Sequence, residues 1–102
     1  MNAPKSFVRI VNKTRYDVKK ATLIADDAWW DGHNFERNGT NTFLYKTERN
    51  NYFTVTLTQW QGARDALDPQ SLEDAIDLFE NVLTDHKVKY AEAFPGVEIK
   101  DA

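Results

Sequence analysis

The 102-residue chain contains no cysteine, which excludes disulfides, thiolate nucleophiles and cysteine-ligated zinc. Histidine is limited to His33 and His86, and serine to Ser6 and Ser71. With 4 glycines and 3 prolines, no Gly-rich phosphate loop is present. There are no repeats and no low-complexity segments. No apolar run approaches the roughly 18 residues of a membrane span. The opening residues MNAPKSFVRIVNK lack the apolar stretch of a secretion signal. The expectation is a cytoplasmic, membrane-free chain with one domain over residues 1–102.

Hydrophobic residues make up 41% of the chain and aromatics 13%, enough for a core without covalent staples. The clearest pattern lies in Thr40 to Trp60. Phe53, Val55 and Leu57 alternate with Tyr52, Thr54, Thr56, Thr58 and Trp60, the period of a β-strand. The expected arrangement puts Phe53, Val55 and Leu57 inside and the hydroxyl-bearing residues and Trp60 toward solvent. Glu48-Arg49-Asn50-Asn51 turns this hairpin, because asparagine tolerates the left-handed backbone. Ser6 to Val11 reads as a first strand, Asn12 to Arg15 as a polar turn, and Ala21 to Ala25 as a strand following a short turn capped by Asp17. Residues 26–39 and 61–69 read as loops. Ser71 caps a helix to about Thr84, with Leu72, Ala75, Ile76, Phe79 and Leu83 as its apolar stripe. One more helical turn falls within Val88 to Phe94, stopped by Pro95-Gly96, and Val97 to Ile99 reads as a short edge strand. The sum is an α+β fold, a mainly antiparallel sheet of three or four strands with one amphipathic helix across its Phe53–Leu57 face.

Charge is unevenly distributed. Residues 1–25 carry six basic and one acidic side chain, a net +5; residues 26–64 carry four and five, a net −1; residues 65–102 carry three and ten, a net −7. The two ends either pair in the fold, remain solvated, or present an acidic surface to a basic partner.

Catalytic constellations do not emerge. His33 has Asp31 and Glu36 nearby, but Gly32, Asn34 and Asn38 argue for a loop rather than a metal-binding helix. Ser71 is explained by capping, and Ser6 has no cue for a base. Glu73, Asp74, Asp77 and Glu80 lie on the outer side of the helix, where a solvated face is the default. Arg9, Lys13, Arg15, Lys19 and Lys20, with Tyr16 among them, supply material for tracking a nucleic-acid strand, although no recognised binding signature accompanies them. In the Trp29-Trp30 pair, the expectation from an extended backbone is one ring in the core and one partly exposed.

The run Lys13-Thr14-Arg15-Tyr16-Asp17, with Ala21 and Leu23-Ile24-Ala25, is similar to the opening of small bacterial proteins carried on plasmids, phages and integrative elements. Phe43-Leu44-Tyr45-Lys46-Thr47 with Tyr52-Phe53, and Pro69-Gln70-Ser71 with Asp74-Ala75, extend the resemblance. The chain departs from it after Tyr52-Phe53, where a Gly-rich segment is replaced by Thr-Val-Thr-Leu-Thr-Gln-Trp-Gln-Gly. The resemblance implies a mobile-element origin and hands over no catalytic residues. Small acidic proteins of such elements include anti-CRISPR factors. The expected function is therefore a non-enzymatic, cofactor-free and metal-free inhibitor that binds a protein such as a CRISPR–Cas effector. Glu73, Asp74, Asp77 and Glu80 would steer it, and Tyr52, Thr54, Thr56 and Trp60 would supply contact area. The alternatives are a nucleic-acid-associated accessory protein using the basic N-terminal segment, and a general interaction domain of a mobile element.

Overall fold

The computed structural model describes residues 3–27, 40–58 and 64–101. It is an α+β fold in which both faces of one antiparallel sheet are covered. Strands β1 (Val8–Val11) and β2 (Thr14–Asp17) form a separate two-stranded hairpin. A 3-10 turn (Val18–Lys20) leads into β3 (Ala21–Asp26). Strands β4 (Thr40–Thr47), β5 (Tyr52–Thr58) and β6 (Ala66–Gln70) follow. Helix α1 (Leu72–Asp77) continues as a π turn (Leu78–Val82), and then come β7 (Asp85–His86) and α2 (Tyr90–Ala93). Among the described residues the main sheet has five strands in the order β6-β5-β4-β3-β7, all antiparallel. It is wider than the three or four strands expected.

Among the described residues, two hairpin turns carry the positive φ angles of non-glycine residues. Asn12 (φ 51°) and Lys13 (φ 65°) form the two-residue connection between β1 and β2, the pattern of a type I′ turn. In the β4–β5 turn Asn50 (φ 60°) adopts the left-handed conformation, as its sequence predicts. The Asn50 amide donates to Thr47 O (3.0 Å) and the Thr47 amide to Asn51 O (2.8 Å), which closes the hairpin. Ser71 and Asp17 act as the expected caps: Ser71 Oγ accepts from the Asp74 amide (3.1 Å), and Asp17 Oδ1 from the Lys19 amide (3.0 Å).

The sequence pattern misassigned the faces of β5. Helix α1 does not cover Phe53, Val55 and Leu57. It covers the opposite face, where Tyr52, Leu44, Ile24 and Ala25 pack with Ala75, Phe79, Leu83, Ala93 and Phe94. The Phe53 face is covered instead by the β1–β2 hairpin, with Phe53, Val55, Phe43, Tyr45, Leu67 and Val18 as its core and Phe7 and Tyr16 packed against it. A bulge at Ile24, between the pairs Leu23↔Tyr45 and Ala25↔Leu44, turns two consecutive β3 residues toward the helical layer.

Burial of the polar face is possible because its hydroxyls have partners. Tyr52 (4% exposed) donates its hydroxyl to Ala93 O at 2.7 Å. Thr54 (5% exposed) has Oγ1 3.4 Å from Asp68 O and 3.1 Å from Gln70 Nε2, both on β6. Tyr52 and Thr54 are therefore core residues, not surface ones, and Thr56 is half-buried.

Strand β6 replaces part of an expected loop. Pro69 is tolerated because β6 lies at the sheet edge, pairing only with β5. The expected turn at Thr14-Arg15 is already strand, and Val97 to Ile99 is irregular rather than a strand. The chain stop at Pro95-Gly96 holds. Gly96 (φ 86°) follows Pro95 in a turn closed by the Val97 amide on Phe94 O (3.2 Å), the dihedral pattern of a type II turn.

The helical layer is shorter than its stripe implies. In a regular α-helix the Leu83 amide would donate to Phe79 O. Here it donates to Leu78 O (2.7 Å), one residue further back, so the turn widens. Phe79 O is left free and accepts instead from His86 Nε2 at 2.6 Å, while the two rings stack with centroids 3.8 Å apart. The widened turn keeps Ala75, Phe79 and Leu83 on the buried face and leaves Leu72 46% exposed.

Candidate functional site

The two layers carry opposite charge. On the helical side Glu73, Asp74, Asp77 and Glu80 are all exposed. Asp77 Oδ1 accepts from Asn81 Nδ2 (2.8 Å), and Glu80 Oε2 from the Tyr90 hydroxyl (2.6 Å). That bond and the negative charge of Glu80 raise the Tyr90 pKa, because the hydroxyl is needed as a donor. Among the described residues none of these four carboxylates has a cationic partner within salt-bridge distance. Exposed Leu72 and Val82 flank the row. The acidic half of the expected binding set thus stands together on one surface. Of the other half, Tyr52 and Thr54 lie beneath the same layer, and Trp60 lies outside the described residues, as do Trp29, Trp30, Asp31, His33 and Glu36.

On the hairpin side the cations gather where the β1–β2 and β4–β5 turns meet. Lys13, Arg15, Lys20 and Arg49 line an open groove of about 510 Å³, with Asp17 and Glu48 as its acids. Asp17 Oδ1 is occupied by the cap. Arg49 has no place in the basic run read from the sequence. It joins because two hairpin turns remote in sequence fold to one end of the molecule. Arg9, by contrast, is engaged elsewhere, with Nη1 2.6 Å from Leu67 O and 3.3 Å from Asp68 Oδ1. Among the described residues this is the single ion pair joining the basic N-terminal segment to the acidic C-terminal third. The uneven charge along the sequence is therefore not cancelled by pairing. It becomes a difference between the two sides of the sheet.

No family model, curated protein or solved structure matches this chain. Two of the four serine and histidine side chains have structural duties, and His33 lies outside the described residues. Ser71 caps α1 and His86 closes the π turn.

A third cluster is also structural. Asp26 and Asp85 are register partners on β3 and β7, a like-charge juxtaposition that is unfavourable alone. Lys87 Nζ lies 2.9 Å from Asp85 Oδ2 and 3.7 Å from Asp26 Oδ2. The hydrogen bond to Asp85 and the neighbouring carboxylates raise the Lys87 pKa. Next to it, Asp27 Oδ1 accepts from the Thr42 amide (2.8 Å) and from Asn41 Nδ2 (3.2 Å). Among the described residues no group of three or more histidine, aspartate or glutamate side chains is placed to hold a metal ion, and no helix is long and apolar enough to cross a membrane.

Proposed function

We propose that the chain is a non-enzymatic, protein-binding inhibitor of a bacterial defence complex, anti-CRISPR-like, that occludes a basic nucleic-acid-binding surface on its partner. The observation that carries this reading is the row of exposed carboxylates on the helical layer, unpaired with cations among the described residues and flanked by exposed Leu72 and Val82. Such a row accelerates and orients encounter with a positive surface, while adjacent apolar side chains add contact area. With a net charge of −3, the mimicry of a nucleic-acid backbone is local rather than global. Binding should weaken steeply with salt.

The contact area differs from that expected of the sequence. Tyr52 and Thr54 are withdrawn into the core, Thr56 is half-buried and Trp60 lies outside the described residues, so the proposed interface rests on Glu73, Asp74, Asp77 and Glu80 with Leu72 and Val82. The experiment is a pull-down of the tagged protein from lysates of bacteria with defined CRISPR–Cas systems, read by mass spectrometry. Wild type should recover one Cas effector, and Asp74→Lys/Asp77→Lys/Glu80→Lys should lose it while remaining folded. A neutral variant, Asp74→Asn/Asp77→Asn/Glu80→Gln, controls for the positive charge that lysine places near the helix N-terminus. Undiminished capture by the lysine variant would refute the proposal.

A further inference from the structure

We infer that the groove between the β1–β2 and β4–β5 turns binds the phosphate groups of a nucleotide, free or within a single strand. Four cations line it from three separate stretches of chain: Lys13 and Arg15 from the first hairpin, Lys20 from the 3-10 turn, and Arg49 from the second hairpin. Among the described residues none of the four has an ion-pair partner. Their convergence in a chain of net charge −3 concentrates positive potential in one concave place, the arrangement that attracts phosphate.

Neutral groups fit the same ligand. Thr14, Thr47 and Asn51 line the groove. Thr47 Oγ1 accepts from the Asn51 amide (3.0 Å), which leaves its hydroxyl proton for a phosphate oxygen. Arg15 and Arg49 suit phosphate because a guanidinium presents a planar fork of donors. A volume of about 510 Å³ falls within the size range of small-ligand sites.

Lys13 argues against a merely solvated patch. Its φ of 65° occupies the second position of a two-residue turn, where glycine is the favoured residue and a side chain is strained. A lysine at that strained position sets an ammonium group at the edge of the cationic groove, a placement the turn itself does not require.

The test is fluorescence anisotropy of a 5′-labelled dT8 oligonucleotide with the full chain, with ATP and inorganic pyrophosphate as competitors. The logarithm of the association constant should fall against the logarithm of salt concentration with a slope as steep as about −2.8 if all four cations each neutralise a phosphate. Arg15→Glu/Arg49→Glu should reduce affinity more than tenfold. Lys89→Glu/Lys100→Glu, which changes net charge equally outside the groove, should reduce it far less. Lys13→Gly should raise the melting temperature while weakening dT8 binding several-fold, a combination that a turn residue without a ligand role does not produce. Competition by ATP at micromolar concentration would identify a free nucleotide as the ligand, and binding of dT8 without such competition would identify a strand. Equal losses in the groove and control variants, or no binding of any probe at low salt, would overturn the inference. Because every groove variant leaves Glu73 to Glu80 intact, its outcome is independent of the inhibitor proposal.

Discussion

The two faces of the central sheet are built from similar aromatic material but solve different problems. On the hairpin side Tyr45 stacks on Phe53 (5.2 Å, 11°) and Tyr16 meets Phe53 edge-on (5.7 Å, 64°). On the helical side Phe79 meets Phe94 and Tyr90 edge-on (5.3 and 5.7 Å), and Tyr52 tilts against Phe94 (5.3 Å). The hairpin face is tied down by apolar contact and by the part-buried bond from Arg9 to Leu67 O, whereas the helical face uses a fully buried hydrogen bond, from Tyr52 to Ala93 O, and a part-buried one from His86 to Phe79 O. Each layer then exposes its own sign of charge. A charge gradient along a sequence thus becomes a gradient across a sheet when the chain ends cover opposite faces.

The largest effect should come from removing the ring at the centre of either face. Phe53→Ala and Phe79→Ala should each destabilise by about 3–5 kcal/mol in denaturant unfolding. A much smaller loss at Phe53 would show that the hairpin layer contributes little to stability and break the symmetry of the two cores.

Alkaline pH probes the hairpin face more sharply. Burial and the nearby Asp26 carboxylate push the Tyr45 pKa up to about 12. Between pH 10 and about 12 the unfolded chain loses the phenol proton while the folded chain keeps it, so stability is complete below pH 10 and falls as pH rises through that window. The loss attributable to Tyr45 approaches about 1.4 kcal/mol per pH unit. Stability curves at pH 9 to 12 should therefore be shallower for Tyr45→Phe than for wild type. Tyr52 and Lys87, also raised, contribute with the same sign, and parallel curves for the two proteins would remove Tyr45 from the explanation.

On the helical face Tyr52→Phe keeps the ring but orphans the Ala93 carbonyl, and should cost about 1–3 kcal/mol. The smallest change should favour the fold: Lys13→Gly relieves the left-handed lysine and should stabilise by roughly 1 kcal/mol. A destabilised Lys13→Gly protein would mean that the lysine side chain itself holds the hairpin.

Local signals in the sequence proved readable where one residue type meets one backbone demand. Asn50 in its turn, Ser71 and Asp17 as caps, and Gly96 after Pro95 all hold the positions their chemistry predicts. The period of β5 was legible too, but not which face meets the helix. Tyr52 and Thr54 resemble surface residues until their partners on α2 and β6 are known, and those partners lie 41 and 14–16 positions away. Short edge strands were missed for a related reason. Ala66–Gln70 and Asp85–His86 have little strand character of their own and are ordered by pairing with β5 and β3. The acidic row was visible because four carboxylates share one short helical segment, whereas the basic groove required two turns to meet in space.

The most direct test of opposite charge on opposite layers is a side-by-side capture experiment. Wild type, Asp74→Lys/Asp77→Lys/Glu80→Lys and Arg15→Glu/Arg49→Glu would each be used as bait in lysates containing a defined CRISPR–Cas effector. Wild type and the groove variant should recover the effector, and the acidic-row variant should not. Equal recovery by all three folded baits, or loss with the groove variant alone, would contradict binding through the acidic row.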